Sequence, residues 1–231
     1  MLCKILDNGS QYKKLFVFFN GFGSDYKFWD QLTPYFSRYN CVLLSENYFN
    51  YPEDYEFQDL KSIFQDKEII GVGHSLGYHK LCALNLEYDF FNLSKIVSLE
   101  GFSRYLGSFE PVKSVRKFYL DQMVNCYSFA PRKTLSNFMA MCGAPIATLP
   151  ATIKQELLMS DLQLLYFGIA SPDIPHLVLS SLDDWVIPSN IVEDNFRKLS
   201  DVNIVYTIGA GHLLGMKFPQ QIRNRIVNFS C

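Results

Sequence analysis

The sequence predicts an α/β architecture: a mostly parallel sheet with helices on both faces and a small helical insertion. Three observations predict it. Short, continuous apolar runs recur along the 231 residues, segments of helical spacing separate them, and the alternation lapses once, between about residues 102 and 160. Strands that alternate with helices build βαβ units and hence parallel pairing.

The elements follow in chain order. Leu15-Phe16-Val17-Phe18-Phe19 is apolar at every position and is followed by Asn20-Gly21-Phe22-Gly23. A run without alternation is a strand buried on both faces. Cys41–Leu44, Ile69–Val72, Ile96–Leu99, His176–Leu179 and Asn203–Tyr206 read the same way. Between them, Ser24 is placed to cap a helix reaching about Tyr39. Helical spacing also spans Leu76 to about Tyr88, Pro188 to about Leu199 and Pro219 to about Phe229. Prolines 188 and 219 fit first-turn positions, where a missing N–H costs nothing. Residues 102–160 show helical spacing punctuated by Pro111, Pro131, Pro145 and Pro150, and read as a helical lid or cap on a single domain.

Composition narrows the function. The chain is 48% hydrophobic and 19% charged, with net charge −2, so it buries a core and shows no basic excess for nucleic acid or an anionic membrane. The charge is uneven. The cap segment carries seven basic residues against three acidic, a net of +4, which leaves −6 on the remainder. Such a face fits an acidic partner. The six cysteines form no C-x-x-C pair and no zinc pattern. The N-terminus lacks the charged-then-apolar run of a signal peptide, and no 18-residue apolar window exists. The expectation is a cytoplasmic monomer with reduced thiols, no metal and no organic cofactor.

Gly73-His74-Ser75-Leu76-Gly77 is the sharpest motif. Composition alone yields roughly 0.06 such G-x-S-x-G matches. Here it also follows an apolar strand and precedes an apolar helix, the context of a nucleophile elbow. Ser75 is the candidate nucleophile, and it needs a base to take its proton. Of the four histidines, His74 flanks the serine with its ring expected to point away from the elbow tip. His79 lies on the following helix and His176 at a strand start. His212, in Gly209-Ala210-Gly211-His212-Leu213-Leu214 after the last strand, is the candidate base. The base needs a carboxylate to fix its tautomer. Asp183 and Asp184 both follow the strand at Leu177–Leu179. Asp184 is preferred because it sits just ahead of Pro188, with Asp183 the fallback and Glu100 a weaker stand-in. The order Ser75, Asp184, His212 is that of the α/β-hydrolase fold. The N–H groups of Leu76, next after the nucleophile, and Phe22, in the loop after the first core strand, are the expected oxyanion donors.

These residues resemble the α/β-hydrolase superfamily over nearly the whole chain. Leu15–Phe19, Asn20-Gly21-Phe22-Gly23 and Phe28-Trp29, with a short chain and a compact basic cap, are most similar to the pimeloyl-[acyl-carrier protein] methyl ester esterases of biotin synthesis. Asn20 stands where hydrolases often have histidine, a change expected to alter the loop's hydrogen bonding. The D-x-P-G-x-G-x-S segment of many relatives is absent from Ser45–Tyr51. The resemblance implies a serine carboxylic-ester hydrolase with an ester substrate and an acyl-carrier partner docked by cap cations, for which Arg116, Lys117, Arg132 and Lys133 stand in position. The wider alternative is a broad short-chain carboxylesterase or thioesterase. A non-catalytic binding protein and an acyltransferase or lyase are the readings from other classes. The aromatic content, 16% of residues, divides between core (Phe16, Phe18, Phe19) and segments expected to border Ser75. The latter are Phe22, Trp185 and, in the cap, Phe118, Tyr119, Phe129 and Phe138 with Met123, Met139 and Met141. They would form an acyl channel under a basic outer face.

Overall fold

The computed structural model describes residues 1–9, 12–52, 55–144 and 149–231. Pro145, one of the prolines expected to punctuate the cap, lies outside them. The strands are β1 (Leu2–Leu6), β2 (Lys14–Phe19), β3 (Asn40–Ser45), β4 (Glu68–His74), β5 (Leu93–Leu99), β6 (His176–Ser181) and β7 (Val202–Thr207). They form one sheet in the order β1-β3-β2-β4-β5-β6-β7. Only β1 runs antiparallel, against β3, among the described strands. All six expected strands are present, each extended by one to three residues. β1 was not anticipated. At an edge, with Lys4 in its middle and three of five residues only half-buried, it lacks the continuous apolar run that marks the others.

The helices are α1 (Lys61–Phe64), α2 (Leu76–Glu87), α3 (Val112–Phe129), α4 (Pro131–Met141), α5 (Gln155–Leu164), α6 (Ser189–Phe196), α7 (Leu214–Lys217) and α8 (Pro219–Ser230). Pro219 opens α8 as expected, whereas Pro188 is the residue before α6 and not inside its first turn. The helix expected from Ser24 to Tyr39 is instead two short 3-10 turns, Tyr26–Gln31 and Thr33–Phe36. Pro34 has no N–H with which to continue an α-helical ladder. Asp25, not Ser24, caps the first turn, accepting the Lys27 N–H at 2.8 Å.

The period of two along β2 explains why the sheet is covered on both sides. Leu15, Val17 and Phe19 point into one apolar cluster, shared with α2, α5 and α6. Phe16 and Phe18 point into the other, shared with Trp29, Phe36, Leu214, Ile222 and Ile226. All five are at most 2% exposed. Helices α3, α4 and α5 lie between β5 and β6, in the region where the sequence lost its strands. No described helix is long and apolar enough to cross a membrane.

Candidate active site

Ser75 sits between the end of β4 and the start of α2 with φ 53° and ψ −123°, a left-handed conformation strained for any residue but glycine. Its N–H donates to the Leu99 carbonyl at 3.0 Å, which fixes the turn to the neighbouring strand. The flanking glycines are required by contact. A Cβ on Gly77 would lie 2.1 Å from the Phe19 carbonyl oxygen, and one on Gly73 would lie 2.4 Å from the Tyr78 nitrogen. The chain crosses so closely there that no side chain fits.

His212 and Asp184 meet this elbow from the ends of β7 and β6. His212 Nδ1 bonds Asp184 Oδ2 at 2.8 Å. The other oxygen, Oδ1, accepts the N–H groups of Val186 (2.8 Å) and Ile187 (3.0 Å). Both side chains are essentially buried. His212 Nε2 is buried without a hydrogen-bond partner among the described residues, and His212 lines the same small cavity as Ser75. Among the described residues Nε2 therefore makes no hydrogen bond to the Ser75 hydroxyl, and proton-transfer contacts are often long before substrate binds and tighten with it.

Asp183, the fallback acid, has a different task. Its carboxylate is exposed and accepts the Ser181 hydroxyl and the N–H groups of Gly209 (2.9 Å) and Gly211 (3.2 Å). The Ser181 hydroxyl, followed by those backbone donors, pulls its pKa down to about 2. Asp183 therefore holds the loop that presents His212.

The expected oxyanion donors flank Ser75. Leu76 is the first residue of α2, so its N–H has no acceptor within the helix. The Phe22 N–H has no acceptor among the described residues. Gly21 brings that loop against the nucleophile, where a Cβ would lie 2.9 Å from Ser75 Cβ. Asn20 shapes the loop as its departure from histidine implied: Nδ2 donates to the Ser24 carbonyl at 2.8 Å and hydroxyl at 3.1 Å.

Two braces were not read from the sequence. The His74 ring does not point away. It stacks on Phe28 (centroids 4.2 Å apart), lines the cavity, and Nε2 bonds the His212 carbonyl at 3.1 Å. Burial pushes its pKa well below the usual value, so the ring is neutral and Nε2 carries the donated proton. Glu100 is fully buried at φ 53°, and its Oε2 accepts the Leu214 N–H at 2.9 Å. Burial, with the Asp184 charge behind it, raises its pKa well above the carboxylate range. Both residues hold the backbone of 212–214. With His212 they are also the described group spaced for a metal ion, their ligand atoms within 4.8 Å of one another. A third contact joins the cap to the core. Lys80 on α2 bonds Glu46 (2.9 Å) and Asp161 of α5 (2.6 Å), and Asp161 also takes the Tyr48 hydroxyl. The remaining histidine candidates are structural in their contacts: His176 bonds the Tyr78 hydroxyl and the Ile174 carbonyl, and burial lowers His79 to about 4.

Ser75 lies between two cavities of about 20 Å³ each. One is lined by Leu76, Phe102, Tyr105, Met123, Leu162 and Val186. The other lies beside His74, Phe28, Met139, Cys142, His212 and Leu213. Phe22 and Phe138 border both, packed edge to face at 5.5 Å. Thus Phe22, Phe138, Met123 and Met139 reach the site. Phe118 and Trp185 do not. They are 58% and 85% exposed, as are Tyr119, Phe129 and Met141 to similar degrees. On α3 the inward stripe is Arg116, Leu120, Met123 and Tyr127, spaced i, i+4, i+7 and i+11, and Phe118 falls off it.

The cap cations divide as well. Lys117 and Lys133 are exposed, with Lys117 paired to Asp121 at 2.9 Å. Arg132 is exposed but bonds the carbonyls of Leu149, Pro150 and Ala151. Arg116, expected on the docking face, turns inward instead, where its guanidinium donates to the Tyr105 and Val186 carbonyls although burial lowers its pKa.

No protein-family model and no curated protein sequence matches this chain. Solved structures do. MenH from S. aureus is 14% identical with TM-score 0.75, covering 99% of this chain and 97% of its own. A lipase-esterase related protein from Clostridium acetobutylicum is 16% identical with TM-score 0.71, covering 99% and 100%. The esterase EaEST from Exiguobacterium antarcticum is 11% identical with TM-score 0.74, covering 98% and 94%. At these identities the likeness establishes the fold, and the chain has the α/β-hydrolase fold, a mostly parallel sheet with helices on both faces.

Proposed function

We propose that the protein is a serine carboxylic-ester hydrolase. One observation carries the reading: His212 is bonded through Nδ1 to Asp184 while its buried Nε2 is unpartnered at the cavity that Ser75 lines. In the proposed reaction His212 Nε2 takes the Ser75 proton as Oγ attacks the ester carbonyl. The N–H groups of Phe22 and Leu76 meet the oxyanion, each worth about 3 kcal/mol in the transition state. The C–O bond breaks, and the alcohol leaves with the proton from His212. Water, deprotonated by the same nitrogen, then releases the acid and restores Ser75. The esterase names of similar structures support the class.

For the substrate, the family resemblance favours pimeloyl-[acyl-carrier protein] methyl ester. Exposed Lys117, Arg132 and Lys133 offer a face to an acidic carrier. A second reading, a short-chain carboxylesterase or thioesterase, is favoured by the small cavity on the Leu76 side and by the inward turn of Arg116.

A fluorophosphonate probe should label the wild type and not Ser75→Ala, and that variant should fold normally yet lose ester cleavage. Retained turnover would sink the assignment. Charge reversal at Lys117, Arg132 and Lys133 should slow cleavage of the carrier-bound methyl ester far more than of p-nitrophenyl acetate. Equal loss on both would remove the carrier and leave the short-chain reading.

A further inference from the structure

We infer that Arg116, reaching inward from α3, positions the triad acid through a single polarised peptide group. The guanidinium Nη2 donates to the Val186 carbonyl at 3.1 Å. That carbonyl belongs to the same peptide unit as the Ile187 N–H, which donates to Asp184 Oδ1 at 3.0 Å. Asp184 Oδ2 in turn holds His212 Nδ1 at 2.8 Å. A cation at the carbonyl end of a peptide strengthens donation from its N–H, because hydrogen bonds in series polarise one another. The chain of contacts runs Arg116, peptide 186–187, Asp184, His212.

The site is built for this. Arg116 Nε donates to the Tyr105 carbonyl at 2.6 Å, and the guanidinium lies 4.1 Å from the centre of the Tyr105 ring. Burial disfavours its charge, and Tyr105 and Asp184, with the two carbonyl acceptors, oppose that cost. A planar fork reaches two carbonyls and a ring face together, which a lysine cannot do. Lys113 and Lys117 on the same helix stay exposed. Arg116 touches neither nucleophile nor base, so it is a positioning residue, and it makes a cap helix part of the triad's support.

The inference rests on the triad reading, and its test separates the two. In the wild type, proton NMR should show a low-field resonance for the His212 Nδ1 proton shared with Asp184. In Arg116→Ala it should move upfield or broaden through exchange. Turnover of p-nitrophenyl acetate should lose kcat about tenfold to a hundredfold, the scale of one charge-assisted hydrogen bond, with KM changed less than twofold. Arg116→Lys should recover part of both. Should Arg116→Ala not fold, Arg116→Gln keeps the stem to Cδ and an amide donor at the Nε position, without the charge or the reach to Val186, and carries the same readouts. An unmoved resonance, or a loss confined to KM, overturns the inference. A moved resonance in a protein that cleaves no ester leaves it standing and removes the proposed function.

Discussion

The elbow around Ser75 and the α3–α5 cap border the same two cavities, yet they are built by different rules. At the elbow, backbone meets backbone. Gly73, Gly77 and Gly21 each face atoms nearer than a Cβ can stand, and Ser75 holds a left-handed φ against Leu99. Position follows from residue type with no freedom left. In the cap, side chains on helices decide. The same α3 sends Met123 to the cavity and Phe118 to solvent. Burial there depends on how the helix is rotated, which residue type does not reveal. A motif of close contacts is therefore readable one residue at a time, and an amphipathic segment only as a stripe.

The largest effect should test the elbow. Gly77→Ala places a methyl group 2.1 Å from the Phe19 carbonyl oxygen and 2.8 Å from that of Asn20, both backbone atoms that cannot rotate away. Either α2 or β2 must shift. We expect a loss of about 3–5 kcal/mol, in the range of a backbone clash in a packed core. Urea unfolding measures it. A midpoint unchanged from the wild type would show that the crossing is looser than these distances require.

That difference explains what was legible. The six core strands, the order Ser75, Asp184, His212, the loop carrying Phe22 and the helix start at Leu76 all follow from short motifs with local causes. Choosing Asp184 over Asp183 was possible from its distance to Pro188, and the geometry pairs Asp184 with His212. The braces His74 and Glu100 were not legible, because each acts on the 212–214 backbone, far away in sequence. Arg116 was misplaced for another reason. Charge put it on the surface, whereas its spacing from Leu120, Met123 and Tyr127 put it on the inward stripe. The periodicity carried the information, and the charge obscured it.

A smaller effect concerns the loop that presents His212, which joins the two regions. Asp183 binds that loop best when ionised, and its pKa is held near 2, below the ordinary aspartate value of 3.8. A depressed folded-state pKa adds stability that is complete above the unfolded value and disappears as pH falls through the folded one. Asp183→Asn should therefore be less stable than the wild type at pH 6, and the gap should close between about pH 4 and pH 2. Because the group is exposed, the gap should also shrink in high salt. Thermal melts over that range measure it. A gap constant with pH would mean that the amide's shape, and not the lost charge, is responsible.

The smallest effect should come from the cap residues whose place in the chain marked them as pocket-lining. Phe118 and Phe129 are 58% and 90% exposed, and neither borders a cavity beside Ser75. Replacing both with serine removes large apolar groups from a surface already in water. Surface changes of this kind stay within about 0.5 kcal/mol. Hydrolysis of p-nitrophenyl acetate should stay within twofold, because Met123 and Phe138 still form the walls. The variant asks whether α3 keeps its rotation when substrate enters. If Phe118→Ser and Phe129→Ser together lowered kcat/KM tenfold on a longer acyl ester while sparing the acetate, the helix would have to turn its outer face inward on binding. The stripe of Arg116, Leu120, Met123 and Tyr127 would then describe only the unliganded protein, and the tie from Arg116 to Val186 would have to break in the same movement.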